Sequence, residues 1–263
     1  MKDVNNKNQI YNIELRKQKK NIVTEDGSVT LFSCEFHEAY HSTKDGALHE
    51  ALEKHVKPAI ELQKHKTKLT ILDICFGLGY NTFATLYYVK THNLPFQVHI
   101  LSPEFDEALV GSLKSFEYPK EFDMLKPIIE AVSQNLSYED AQFKIEILIG
   151  DARKSIPAIK EKIDIVYQDA FSPPRNPLLW TKEYFSEVRS ICTEDAVLTT
   201  YSTAAAVRLG LYENGFNLYT YCGENVRASI IASPSILDLE PVDMAVKIQR
   251  NPGAKSLKDG DYL

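Results

Sequence analysis

Apolar and polar positions follow one another irregularly over the first quarter of the chain, and then, near Lys66, fall into a regular alternation of short apolar runs and amphipathic stretches. Residues 69–75, 97–101, 145–149, 163–167 and 196–201 are β-rich runs separated mostly by segments of helical period. Strands alternating with helices predict a parallel sheet covered on both faces. Residues 216–222 and 228–232 are two further runs with only a short loop between them, which predicts an antiparallel pair at the sheet edge. Before Lys66, residues 28–34 read as a strand after the Asp26-Gly27 turn, and residues 47–63 as a helix interrupted or kinked near Pro58. The expected architecture is α/β: a doubly wound, mostly parallel sheet with a C-terminal antiparallel hairpin over residues 66–263, preceded by a small α+β accessory cap over 1–65.

Composition permits this fold and narrows its setting. With 263 residues, 44% of them hydrophobic, the chain can bury a full core. Cys34, Cys75, Cys192 and Cys222 stand far apart with no C-x-x-C pair, against both a structural zinc site and a disulfide framework. The amino terminus over 1–18 lacks the apolar core of a signal peptide, and no later run reaches membrane-spanning length, so a cytoplasmic protein with no membrane partner is expected. A net charge of −6 and a pI near 5.7 give no whole-molecule attraction for nucleic acid. The densest basic run, Arg16-Lys17-Gln18-Lys19-Lys20, reads as a solvated turn.

The first apolar strand of the alternation runs straight into Phe76-Gly77-Leu78-Gly79, with a helix expected from Asn81-Thr82, so both glycines sit where backbone passes close to a ligand. Asp73 precedes this loop, and Glu104 closes the next strand 25 residues beyond Gly79, the position of a ribose-binding carboxylate. A nicotinamide dinucleotide loop wants a third glycine where Thr82 stands, and is disfavoured. Asp151, after Gly150, either accepts from an adenine amino group or caps a helix. Carboxylates at successive strand ends point to a nucleoside ligand at the carboxyl edge of the sheet.

The fourth strand ends in Gln168-Asp169-Ala170-Phe171-Ser172-Pro173-Pro174-Arg175-Asn176-Pro177, followed by Leu178-Leu179-Trp180. Its prolines lower the entropy of ordering it over a substrate. Asp169 would lie beside the reacting group, and Phe171 could wall a base, while Trp180 reads equally as a wall or a core anchor. His37-Glu38-Ala39-Tyr40-His41 satisfies H-E-x-x-H, but Ser42 to Gly46 would break any helix there, so no metal site is expected.

The segment from Asp169 to Thr181 is similar to the D-[GA]-F-[AS]-P-x-[KR]-N-P-x-[LM]-W-[ST] signature of the methyltransferase domain of the tRNA wobble-uridine enzyme MnmC and its stand-alone relatives. Phe36, Tyr40-His41-Ser42, Gly46 to Glu50, Phe76 to Asn81, Glu104, Gly150-Asp151 and Tyr201 to Ala204 with Val207-Arg208 follow the family's order, a coverage of about residues 31–232. The resemblance implies a class I (Rossmann-like) fold and S-adenosyl-L-methionine as cofactor, held by Asp73, Gly77, Gly79, Asn81, Glu104 and Asp151. It implies methylation of 5-aminomethyl(-2-thio)uridine in tRNA, with Asp169 facing the amine and Tyr40 and Tyr201 shaping the pocket. His41, Phe171, Pro173, Arg175, Asn176, Trp180 and Arg227 are then candidates for the substrate side. The fused enzyme's flavin-dependent oxidoreductase region has no counterpart in these residues. Two features depart from the pattern: a basic stretch of the family is represented by Gly223 to Ser229 with Arg227 as its one arginine, and residues after Ala232 have no match. Methylation of another small amine or of a protein, and aminopropyl transfer on the same sheet, stay open as alternatives.

Overall fold

The computed structural model describes residues 12–262; the first eleven residues of the polar amino-terminal stretch lie outside them. A single turn, α1 (Ile13–Arg16), leads into a three-stranded antiparallel sheet of β1 (Lys19–Val23), β2 (Val29–Ser33) and β3 (Glu38–Ala39). The basic run is thus not a free turn. Arg16 Nε bonds Glu35 Oε2 at 3.0 Å, and Lys19 Nζ reaches Asp106 Oδ2 at 2.6 Å, tying the small sheet to the edge of the large one.

The segment over 47–63 is helical throughout but changes pitch: α2 (Ala47–Glu50), a π turn (Ala51–Val56) and α3 (Lys57–Gln63). Pro58 has no N–H to return to the carbonyl four residues back, and the ladder opens into i→i+5 bonding just before it. This helix carries a wide apolar face, with Ala47, Ala51, Val56, Ala59 and Ile60 essentially solvent-free, and it packs on the main sheet. Gln63 Nε2 donates to the Asp195 carbonyl and His55 Nδ1 meets Thr199 Oγ1 at 2.9 Å. Residues 47–63, part of the accessory region by sequence order, thus lie against the main sheet, because the helix needs the sheet to cover its apolar face.

The main sheet comprises β4 (Lys68–Ile74), β5 (Gln97–Glu104), β6 (Ser137–Glu139), β7 (Phe143–Ile149), β8 (Ile163–Gln168), β9 (Cys192–Thr200), β10 (Asn217–Tyr221) and β11 (Ser229–Ser233), in the spatial order β10-β11-β9-β8-β4-β5-β7-β6. The five central strands are parallel; β11 returns antiparallel beside β9, with β10 outside it, and β6 adds an antiparallel edge strand. β4 is buried on both faces after its first residue, which is why its sequence is a continuous apolar run. Its two faces feed separate cores, Leu69 and Ile71 into one, Leu72 and Ile74 into the other.

Around the sheet lie α4 (Tyr80–Thr91), α5 (Glu107–Ser112), α6 (Lys126–Asn135), α7 (Ala152–Ser155), α8 (Lys182–Ile191), α9 (Ala205–Glu213) and α10 (Met244–Arg250). The order of the parallel strands reverses at β4, so loops after β4 and β8 diverge and leave a crevice at their carboxyl ends. This is the doubly wound class I fold. No helix among the described residues is long and apolar enough to cross a membrane.

Candidate active site

A cavity of about 620 Å³ opens at that crevice, within the size range of small-ligand sites. The β4–α4 loop forms its floor. Gly77 (φ +55°) and Gly79 (φ +72°) both take left-handed backbone that disfavours side chains. A Cβ on Gly79 would stand 2.5 Å from the Phe83 ring, and one on Gly77 would stand 3.1 Å from Tyr40, so each glycine leaves space its neighbours use. Cys75, also at positive φ (+65°), lines the cavity, and burial pushes its thiol well up.

Glu104 ends β5 at the cavity wall, its carboxylate accepting from the Gly77 amide (2.8 Å) and the Asp106 amide (2.7 Å). Burial raises its pKa despite those two amides. A carboxylate has about four lone-pair sites, so acceptor capacity for a diol remains. Asp151 caps α7, accepting from the Arg153 amide at 3.0 Å, and it also lines the cavity.

Asp73 departs from expectation. It is buried behind the loop, away from the cavity lining, and accepts from Thr82 Oγ1 at 2.7 Å, with Asn81 Nδ2 at 3.5 Å. Burial pushes its pKa up to about 7. Its place is under the first turn of α4, because the strand-end side chain points to the sheet side of the loop. Asn81 does face the cavity, and its Nδ2 donates to Asp169 Oδ2 at 2.8 Å.

Asp169 follows β8 at the centre of the crevice. Burial is the largest influence on its carboxyl and pushes it up, but His55, His41 and the Asn81 amide outweigh it and hold the pKa below the ordinary carboxylate value. Around it, Tyr40 meets Phe171 edge-on at 4.9 Å, and Phe171 stacks on Phe36 at 4.5 Å and 19°, an aromatic wall on the cavity's rim. Tyr201 donates to the Ala170 carbonyl at 2.9 Å; burial raises the phenols of Tyr40 and Tyr201, keeping both protonated. Burial lowers the pKa of His41, whose Nδ1 meets Thr30 Oγ1 and whose side chain lines the cavity. Asn176 also lines the cavity, and exposed Arg227 stands at its mouth.

Three substrate-side candidates do not reach the cavity. Trp180 is a core anchor, fully buried, its indole N–H donating to the Phe171 carbonyl at 2.8 Å; it shapes the loop from beneath. Pro173 and Arg175 lie on the outer side of that loop. The H-E-x-x-H segment crosses a turn and β3, with His37 at φ +52°, so its histidines share no helical face. Its Glu38 instead accepts from the Ser172 amide and hydroxyl, bracing the Asp169 loop, a role with no signal in the sequence. Also unforeseen are His55, 3.5 Å from Asp169 through Nε2, and the buried Lys54 with Asp45 (2.7 Å) and Glu50 (2.8 Å) at the cavity wall. Their signal was polar side chains set into the apolar face of the 47–63 helix.

Among the described residues, the buried side-chain polar atoms without a hydrogen bond are His55 Nε2, Asn81 Oδ1, Asn176 Oδ1 and Gln63 Oε1. The first is aimed at Asp169 and the next two belong to cavity-lining residues, as a site built to hydrogen-bond a polar ligand requires. The glycine cradle, the strand-end carboxylates and these acceptors fit an adenosyl group.

Comparisons with known proteins agree. A family model described as S-adenosyl-L-methionine-dependent methyltransferase matches residues 119–232, which hold Asp151 and the Asp169 loop. The structure of MNMC2 from Aquifex aeolicus superposes with a TM-score of 0.81 at 31% identity, covering 92% of this chain and 78% of that one. An uncharacterized protein of Methanocaldococcus jannaschii is 33% identical over 207 residues, 77% of this chain and 56% of the relative. The tRNA 5-methylaminomethyl-2-thiouridine biosynthesis bifunctional protein MnmC of Paraburkholderia xenovorans is 27% identical over 203 residues, 71% of this chain and 30% of that protein. The chain thus spans about half of the archaeal relative and under a third of the bifunctional one.

Proposed function

The chain belongs to the S-adenosyl-L-methionine-dependent methyltransferase family that includes Aquifex MNMC2, and from that premise we propose that it methylates the primary amine of 5-aminomethyl(-2-thio)uridine at the wobble position of tRNA, giving the methylaminomethyl form. The observation that carries the reading is Asp169: an ionised carboxylate, fixed by Asn81, at the centre of an aromatic-rimmed cavity beside the adenosyl-type wall of Gly77, Glu104 and Asp151.

When bound there, S-adenosyl-L-methionine supplies an electrophilic methyl on a sulfonium. Glu104 would accept from its ribose hydroxyls, Gly77 would admit its chain close to the backbone, with Gly79 holding the turn behind it, and Asp151 would receive the adenine amino group. On the other side, Phe171, Phe36 and Tyr40 provide faces for an extruded base. An aminomethyl group in water is mostly ammonium. Asp169 pairs with that cation by a charge-assisted hydrogen bond, then takes one of its protons, leaving nitrogen with a free pair in a desolvated pocket. Position and exclusion of water supply most of the remaining acceleration. The expected setting is the reducing cytoplasm, where tRNA is found, with Arg227 at the cavity mouth as a phosphate contact.

Nucleoside mass spectrometry of tRNA from a strain lacking the gene tests this. The methylaminomethyl nucleoside should vanish and its aminomethyl precursor accumulate; an unchanged nucleoside profile rejects the tRNA assignment.

A further inference from the structure

Behind Asp169, on the side away from the cavity, stands His55, fully buried in the π turn. Its Nδ1 is engaged by Thr199 Oγ1 of β9 at 2.9 Å, while Nε2 has no hydrogen-bond partner and lies 3.5 Å from Asp169 Oδ1, just beyond a full hydrogen bond. A histidine buried without solvent, one nitrogen held and the other left for a single carboxylate, is an arrangement with a cost that packing alone does not require. The hydroxyl of Thr199 can accept from or donate to Nδ1, so the ring is accommodated with or without an added proton. The opened helical pitch before Pro58 sets the ring at this point of the sheet.

We propose that His55 is a positioning residue for Asp169 and the reservoir for the proton that the substrate ammonium gives up. The inference rests on the reading of Asp169 as the group facing the amine. In the step envisaged, one ammonium N–H bond breaks and its electron pair stays on nitrogen. The proton passes to Asp169, forming an O–H bond, and from there to His55 Nε2. Asp169 is restored as a carboxylate, and the imidazolium formed is held between it and Thr199 until water carries the proton away after product release. Without His55 the proton would have to rest on Asp169 itself, which could then no longer pair as a carboxylate with the next ammonium.

The other titratable groups around the pair come from every packed element: His41 after β3, Asp73 at the end of β4, Cys75 just beyond it, Tyr167 on β8, whose ring meets His55 edge-on at 5.8 Å, Tyr201 after β9, and Lys54 beside His55 in the π turn. Asp73 titrates near neutrality itself, so the informative comparison is between variants that all retain it.

The test is the pH dependence of kcat/KM for full-length wild type, His55→Gln and Thr199→Val on undermodified tRNA, with calorimetric binding of S-adenosyl-L-methionine as the check of an intact site. His55→Gln keeps a hydrogen-bonding tip but cannot take up a proton. It should lose about tenfold or more near pH 7, and the loss should shrink to within about threefold near pH 9, where more substrate arrives as free amine. Thr199→Val, which lies outside the cavity lining, should show the same pattern more weakly; it carries the test if the first variant does not fold. Variant profiles parallel to wild type, whether equal or uniformly lowered, overturn the proposal, since a purely structural role scales activity alike at all pH. A wild-type protein that methylates no tRNA at any pH overturns the substrate reading instead, and this inference with it.

Discussion

Under the proposed mechanism three demands pull against one another at Asp169: the carboxylate is taken out of water, must stay ionised to hold an ammonium, and must then accept its proton. Asn81, His41 and His55 reconcile them by favouring the charged form against burial. Asp169→Asn should therefore lower methyl transfer by about 10²- to 10⁴-fold while cofactor affinity changes only a few-fold, measured by initial rates and calorimetry; retained turnover removes Asp169 from the mechanism. Asp73 gives a stability test. Its carboxyl goes from an ordinary value of 3.8 to about 7 on folding, so between those values the folded state keeps a proton the unfolded state has lost. Its contribution is full below about pH 4 and is lost as the pH rises to about 7. Relative to wild type, Asp73→Asn should gain on the order of 4 kcal/mol across that window and level off above it, read from unfolding at a series of pH values; a pH-independent difference contradicts the assignment. Asp169, Glu104 and Asp151 were legible in the sequence because each follows a β run and a turn fixes it at the strand end. Asp73 was misplaced, and Trp180 was left open between wall and core anchor, because side-chain direction at a strand end or before a helix is set by packing, not by period. His55 was marked only as a polar side chain in the apolar face of its helix; its pairing with Asp169, 114 residues away, had no local signal.

At the scale of elements, the β4–α4 turn and the carboxyl-terminal strap hold the site from opposite sides. Gly79 combines positive φ with a Cβ position 2.5 Å from Phe83, whereas Gly27 (φ +82°) has open space around it. Gly27→Ala should cost about 1–2 kcal/mol, the left-handed penalty alone, and Gly79→Ala clearly more, together with weakened cofactor binding; thermal unfolding of the two variants reads the difference. After α10, Leu257 bridges to Thr181, and Asp259 takes both Arg153 Nη1 and Nη2 at 2.7 Å and the Thr181 hydroxyl at 2.7 Å. Thr181 caps α8 directly behind the Asp169 loop, so this tail clamps the loop's exit. Asp259→Ala should cost about 1–2 kcal/mol and expose the tail to limited proteolysis before the rest of the chain. The five parallel strands and the closing hairpin were readable because strands buried on both faces leave continuous apolar runs. β1 and β6 were not, since short polar edge strands are specified by their partners, and the π turn was visible only as a disturbance near Pro58.

For the whole molecule, the doubly wound sheet places two unlike walls across one crevice: a glycine-and-carboxylate wall from the β4, β5 and β7 ends, and an aromatic wall with Asp169 from the β8 end and the small sheet. The fold class followed from alternation alone, but the packing of residues 47–63 on the main sheet did not, because a helix that is accessory by sequence order supplies that sheet's cover and His55. A net charge of −6 leaves substrate choice to this local geometry rather than to long-range attraction. The most direct test is to incubate the protein with methyl-labelled S-adenosyl-L-methionine and tRNA bearing the aminomethyl wobble uridine, then digest and identify the labelled nucleoside. Label in 5-methylaminomethyl(-2-thio)uridine, absent with Asp169→Asn, is the predicted result; label confined to a small amine, to protein or to any other nucleoside contradicts it.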